Sequence, residues 1–416
     1  QYFLIFGDDG SVTWMEEDGT LHVIGASLLT DPGVPSVAVL NNLCFYADGV
    51  NQGKFLADTH ETFGMVRPTI GTASGAAGAS GLLNGTYELR VTYINSTTGH
   101  ESSASNTAAA TIVVANKKID LSNLPVSADT QVDQRGIYLR NTSTQRYFYR
   151  VDTITNTGTT ATVNALDTNL TIQAPDTAEN DPPPSDIRFL AAHKQRLFAA
   201  SESVVYYSKV DEPESFDPDA YEPVNSDDGQ RITGLASLPG GLLIIFKESA
   251  LYALIGDTPQ TWQVQQVSGK FGCLSHASIV VGDQAAYWWA EEGPLEWSYG
   301  APLPERIGTT WIADTIGSDV LDFSLREWIQ AAIDVINQRV LFTIAEVGAV
   351  DDHNTIILPW QYDLKRWESD KWDPLNTSSL AVMDDADGEP FIMLGGYAGQ
   401  VFKLDASTND GVPSGT

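Results

Sequence analysis

Short apolar runs fill this chain, and Gly, Asn or Asp turns interrupt them at intervals of about 8–12 residues. Such runs are too short for buried helices and long enough for strands. The spacing therefore points to an all-β fold, either sandwich, barrel or propeller. One stretch stands apart: over Ser324–Val335, Leu325, Trp328, Ile329, Ala332 and Ile333 recur at helical intervals, although a strand fits almost as well. No run approaches the ~20 apolar residues of a membrane-spanning helix. The sequence opens on Gln1 in a strand-like run rather than on Met, which reads as a processed or excerpted chain.

Charge and tryptophan divide the 416 residues into three parts. Residues 1–66 hold 9 acids and 1 base, and residues 182–416 hold 35 acids and 14 bases. Residues 67–181 hold 10 acids and 8 bases, and all ten Trp lie outside them. A near-neutral, Trp-free block inside an acidic, Trp-rich chain reads as an inserted domain. Its borders look like linkers: Ser74–Gly81 is small and flexible in composition, and Asp181–Ser185 holds three consecutive prolines. Between them Thr86–Ile94, Thr111–Val114, Lys118–Leu121, Arg135–Arg140, Tyr147–Ile154 and Thr160–Val163 read as strands. That is the pattern of an immunoglobulin- or fibronectin-like β-sandwich of about seven strands, here without a Cys pair or Trp.

The flanks repeat one unit: an apolar strand, a tight turn, a second apolar strand and often an aromatic close. It begins at Phe3, Ala38, Gln195, Ile232, Ala277, Val340 and Leu380. The pieces before the insert are expected to pair with late strands. The expected fold is thus a β-propeller of about six blades, with five to seven allowed, formed by 1–66 and 182–416 around the insert at 67–181.

The run from Ala192 to Gly256 is the most distinctive. It contains His193-Lys194-Gln195-Arg196-Leu197-Phe198-Ala199-Ala200, Glu214-Ser215-Phe216-Asp217-Pro218, Asp228-Gly229-Gln230-Arg231-Ile232 and Leu243-Ile244-Ile245-Phe246-Lys247. It resembles the propeller core of tail nozzle and hub proteins of short-tailed bacteriophages, the tail tubular protein B type. Gly395-Gly396-Tyr397 through Asp405 resembles their closing blade, and Gly85-Thr86-Tyr87 with Arg135–Arg140 resembles fibronectin-like modules of phage virion proteins. The resemblance implies a non-enzymatic structural protein of the virion tail, made in the host cytoplasm. It implies a homo-oligomeric ring of six copies beneath the portal and adaptor proteins, near the tail fibres, with genomic DNA passing through. The net charge of −31 agrees with a conduit, since like-charged walls do not hold DNA or anionic membranes.

Motifs for chemistry are sparse. Asp8-Asp9-Gly10-Ser11-Val12-Thr13-Trp14 nears a sialidase Asp-box, but its Trp comes one residue late and Phe6 replaces the Ser. Here, as at Asp18-Gly19, Asp228-Gly229 and Asp387-Gly388, a type I′ hairpin turn is the expected reading. Asp384-Asp385-Ala386-Asp387-Gly388 and Asp351-Asp352-His353 offer clustered carboxylates without calcium-loop spacing, so both read as solvated turns. Trp288-Trp289 beside Glu291-Glu292 could stack a sugar; the competing reading is a blade strand with one Trp inward and one outward. Cys44 and Cys273 read as buried free thiols. No catalytic residue, cofactor or metal site is assigned. Two readings compete with the tail protein: an adhesin holding host-surface glycans, and a propeller glycoside hydrolase or lyase.

Overall fold

A computed structural model describes residues 3–16, 19–30, 33–308, 321–349, 354–368, 377–385, 387–397 and 400–404. Their regular structure is β-strand, joined by four short 3-10 helices. Outside the insert the strands form seven sheets, each an antiparallel meander in chain order. Sheet 1 spans 3–25, sheet 2 36–61, sheet 3 189–223, sheet 4 232–268, sheet 5 280–306, sheet 6 330–367 and sheet 7 377–403. Sheets 2 to 6 have four strands, and sheets 1 and 7 have three.

Each sheet buries one face on the sheet before it and the other on the sheet after it. Phe45 and Ala47 of sheet 2 meet Leu197 and Ala199 of sheet 3. Phe198 and Val205 meet Leu243 and Ile245 of sheet 4. Ile244 and Phe246 meet Trp288 of sheet 5, and Trp289 meets Phe342 and Leu358 of sheet 6. Leu341 and Ile357 meet Ile392 and Leu394 of sheet 7. Met383 and Met393 then meet Met15 of sheet 1, whose other face sets Val12 on Tyr46 and Phe55 of sheet 2. The packing closes on itself, and first strands of successive sheets lie against one another toward its centre. Three of the chain's four Met residues sit at the closing seam.

This cycle explains why the strands are apolar on both faces, as in Ala285–Ala290, where every residue is buried. Trp288 and Trp289 do point to opposite sides, yet both are 0 % exposed because sheet 5 lies between two others. The turns match the strand twist. Asn41-Asn42 and Lys194-Gln195 each take positive φ at both positions, the type I′ geometry of a two-residue hairpin.

The sheets number seven among the described residues, the upper end of the expected five to seven. The pieces before the insert do not pair with late strands. Phe3–Phe6, Val12–Met15 and Leu21–Gly25 pair among themselves and stack on sheet 7 through side chains instead. The ambiguous stretch 324–335 divides: Phe323–Trp328 is a 3-10 helix and Gln330–Asp334 a strand. Asp228-Gly229 is no hairpin. It ends a 3-10 turn between sheets 3 and 4, with Gly229 left-handed at φ 70°.

The insert forms one five-stranded sheet whose central strands are long: Ser74–Ile94 pairs with Ile112–Ser122. Register shifts between Ala77 and Asn84, opposite Asn116 at φ 52°, divide that ribbon into two halves. Leu89, Val91 and Ile137 from one half share a core with Ile119, Leu121 and Val163 from the other. Two expected strands, Thr111–Val114 and Lys118–Leu121, are therefore one. The expected linker Ser74–Gly81 is strand as well. Its small residues serve close approach: a Cβ on Gly75 would lie 2.5 Å from the Ile112 side chain, and one on Gly81 2.5 Å from the Lys118 backbone.

Replacing a residue buried between sheets removes contacts on a fully packed face. Trp289→Ala is expected to cost about 3–5 kcal/mol in denaturant unfolding, with the chain still folded at low denaturant. An unchanged midpoint would show that the sheet 5–sheet 6 packing is wrong.

Candidate functional site

With both sheet faces covered, polar side chains collect in the turns, and the charged ones among them are mostly acidic. In a meander, turns between first and second strands share one end of the ring with those between third and fourth; the remaining turns share the other. One end presents Asp8, Asp9, Asp58, Asp211, Asp257 and Asp363. The other presents Glu16, Glu202, Glu248, Glu291, Glu292 and Glu346. Both rims are therefore acidic. Arginines cross the second rim between connections: Arg231 reaches Glu202 at 2.9 Å, Arg326 reaches Glu248 at 3.1 Å, and Arg188 reaches Glu327 at 3.3 Å. Exposed pairs of this kind contribute little to stability.

Many of the Asp residues have a local task. The Ser11 hydroxyl and the Ser11 N, the latter at 2.9 Å from Oδ1, donate to Asp9 and hold its carboxyl below the usual range. Asp385 Oδ1 accepts from Asp387 N and Glu389 N, closing the turn before Pro390. The near Asp-box is thus a hairpin turn, and the Asp384–Gly388 cluster satisfies its own backbone. Asp351-Asp352-His353 lies outside the described residues, as do Asp18 and Ala386. No group of three or more metal-ligating side chains occurs among the described residues. A hollow of about 240 Å³ lies beside the Asp385 turn, lined by Asp334, Phe391, Lys403 and their neighbours. Trp288 and Trp289 offer no face to a sugar, whereas Glu291 and Glu292 are exposed or nearly so in the turn after them.

Cys273 is fully buried and Cys44 half-buried, both free. Burial pushes their thiols up to about 12 and about 11, so both stay protonated at neutral pH.

Toward the centre of the ring, Ser36 Oγ lies 2.9 Å from His276 Nε2, the geometry of a nucleophile and its base. Its setting is structural. Ser36 is 1 % exposed, and its Oγ also accepts from Leu190 N at 2.9 Å. The pair ties sheet 2 to the segment entering sheet 5, past sheets 3 and 4. Burial pushes His276 down to about 4; it does the same to His193, which bonds Ser237 at 2.8 Å.

The strongest buried charge joins ring and insert, and the sequence reading missed it. Lys54 of sheet 2 is 0 % exposed. Its Nζ contacts Glu214 of sheet 3, Glu61 at 3.1 Å and Gln131 of the insert at 2.9 Å. Beside it, burial first and Lys54 second push His100 down to about 3. Thr62 to Asp129 at 2.9 Å and Lys209 to Asn180 at 2.7 Å extend the junction. A lysine directly between Gly53 and Phe55 in a strand was the available signal.

The comparisons with known proteins leave the family unassigned. No protein-family model matches the sequence, and no curated protein matches it. Solved structures similar to it include a chain of an S. cerevisiae Dbp5 complex with Nup159 and Gle1, at 11 % identity and TM-score 0.35 over 58 % of this chain. This chain covers 65 % of that one, just under two thirds of its length. A streptogramin B lyase matches at 10 % identity and TM-score 0.33, over 66 % of this chain and 80 % of its own. The dihydro-heme d1 dehydrogenase NirN matches at 9 % and 0.40, over 98 % and 61 %. Similarity at this level transfers no activity. Among the described residues no helix is long and apolar enough to cross a membrane.

Two outcomes follow from the buried groups. Lys54→Ala leaves Glu214 and Glu61 without their cation and is expected to cost about 3–5 kcal/mol in equilibrium unfolding. A cost under about 1 kcal/mol would show the junction to be solvated. The histidines make stability pH-dependent. Their folded pKa lies below the unfolded value of 6.5, so their contribution is complete above 6.5 and is lost as pH falls toward 4. Relief of self-repulsion on acidification acts in the opposite sense. The comparison is therefore Tm against pH for the wild type and His276→Gln: the variant should lose less between pH 7 and 4.5, and parallel curves would contradict the assignment.

Proposed function

We propose that the chain is a structural subunit of a short-tailed phage tail nozzle or hub, and that its copies form the ring through which the genome leaves. In this reading the seven sheets are the blades of a β-propeller and the 67–181 block is its immunoglobulin- or fibronectin-like insert. The closed cycle of packed faces supports the first, and the shared core of the two ribbon halves supports the second. The subunits would sit in the virion beneath portal and adaptor proteins, beside the tail fibres.

The observation that carries the reading is where the charge lies. Acids occupy the turns at both ends of the ring, while the insert holds 10 acids against 8 bases. Whichever rim a subunit turns to the channel, DNA meets a surface of its own sign, and no counterions are released to hold it there. The sequence resemblance over Ala192–Gly256 supplies the tail context. A glycan-binding reading loses its best candidate with the burial of Trp288 and Trp289.

Native mass spectrometry and negative-stain imaging of the purified chain test the proposal. Closed rings of about six copies are expected, with no retention of duplex DNA at physiological salt. A strict monomer at every concentration, or tight DNA binding, would overturn it.

A further inference from the structure

We infer that an arginine cluster on the insert holds the Glu291-Glu292 turn of a second copy of this chain. The inference rests on the ring proposed above and names a contact that would build it.

The cluster follows from strand alternation. Leu89, Val91, Ile137 and Leu139 face the insert's core. The cross-strand pairs Arg90–Tyr138 and Glu88–Arg140 therefore share the opposite face. There the Phe148 ring carries two guanidiniums, Arg90 at 4.3 Å and Arg140 at 4.9 Å from its centroid. Stacking holds both cations in place without neutralising them. Glu88 neutralises one of them: its Oε2 accepts from Arg140 Nε at 3.0 Å. Arg90 donates its Nε to Thr107 Oγ1 at 3.2 Å, and its two terminal nitrogens have no acceptor among the contacts described. Exposed Arg146 adds a third guanidinium, 5.2 Å from the Tyr147 ring centroid and without an ion pair among those contacts. Arg150, on the same face, shows the contrast, since Glu101 and the Tyr138 hydroxyl bind it.

The same copy does not supply the missing acid. Asp176 acts on Arg90 through its charge but forms no ion pair with it among the contacts described. The ring meets the insert at the other end of these strands, where Asn95 donates to Glu61 at 3.2 Å. From Ile94 at that end, Arg90 and Glu88 lie four and six residues along the strand, about 13 and 20 Å away. A fork of N–H donors held by an aromatic ring matches a carboxylate. On a second copy, the Glu291-Glu292 turn presents two. Ala290 pairs with Gly293, so both carboxylates stand at the tip of a two-residue hairpin. On the same rim Glu202 and Glu248 already hold arginines. Glu292 lies 3.5 Å from Arg306, and Glu291 has no ion pair among the contacts described. The insert is carried between sheets 2 and 3 and the turn belongs to sheet 5, so the contact joins two different surfaces. Such a contact is heterologous and propagates into a ring when its rotation closes. It also lets copies of net charge −31 meet through opposite charges.

The test compares four full-length chains by native mass spectrometry and sedimentation over a concentration series: wild type, Arg90→Glu/Arg146→Glu, Glu291→Arg/Glu292→Arg, and all four substitutions together. Circular dichroism and Tm check that each is folded; Arg146→Glu alone, at an exposed position, stands in for the arginine pair if that variant unfolds. Each reversal is expected to weaken assembly at least about tenfold, and the combination to restore it to within about threefold of the wild type. Net charge alone predicts otherwise, because the glutamate reversal makes each copy less acidic and would strengthen assembly. Unchanged assembly by the arginine reversal, unchanged or stronger assembly by the glutamate reversal, or a combination that fails to restore it overturns this inference and leaves the ring reading standing. A monomeric wild type overturns both.

Discussion

Face-to-face packing of twisted sheets governs everything else in this protein. A sheet with a neighbour on each side has no solvent face, so alternation of polar and apolar residues gives way to apolar runs such as Leu243–Phe246 and Ala285–Ala290. Polar side chains that enter the interior must then be neutralised on the spot. Lys247 shows how: it is 0 % exposed, and its Nζ lies 2.7 Å from Asp228 Oδ1 and donates to the Asn225 carbonyl at 3.0 Å. The remaining charge lies in the turns and on outermost strands such as Glu212–Pro223, which carries Asp217, Asp219 and Glu222. The acidic rims are therefore the geometric counterpart of the apolar faces, and the functional proposal is an inference about what that geometry exposes.

The same constraint explains how the insert sits. A domain carried on a ring needs a contact that fixes it without disturbing the packed faces. The Lys54 cluster does this at the edge of sheets 2 and 3, where a cation from the ring meets an amide from the insert and carboxylates from two sheets. A buried ion pair contributes less net stability than a well-packed apolar contact of the same size, but breaking it is costly. Arg135 plays a comparable part inside the insert: it is 0 % exposed and donates to the carbonyls of Pro125, Thr155 and Gly158. It anchors loops through neutral acceptors alone.

Strand content was legible because it depends on local pattern. Gln195–Ala200 and Val204–Ser208 stand out as strands for the same reason they pack: they carry continuous apolar side chains between turn residues. The number of sheets was less legible, because whether Phe3–Phe6 joins its own hairpin or a distant strand is decided by contacts hundreds of residues apart. Ser74–Gly81 misled because small residues mark both flexible chain and crowded strand, and only the position of Ile112 separates the two. The Lys54 junction is a relation among residues 54, 61, 131 and 214, which no window of sequence contains. Of the chemical candidates within the described residues, Asp8–Gly10 and the Asp385 turn are turns as read, whereas Asp228 lies in a 3-10 turn and its carboxylate is bound to a lysine that follows an ordinary apolar run.

The methionine seam between sheets 1 and 7 has a consequence for the order of events in folding. Every other seam in the ring joins sheets that follow one another along the chain, one of them across the insert. This one brings Met15 against Met383 and Met393, closing a loop of more than three hundred residues. Loop-closure entropy grows only logarithmically, yet at that length it is on the order of 5 kcal/mol. Three buried thioether side chains return about 5–9 kcal/mol, so the seam alone is near balance. Flexible, unbranched side chains suit such a joint, because they absorb the small angular errors accumulated over seven sheets. Ring closure is thus the most non-local step in forming the molecule, and topology of this kind makes it the slow one.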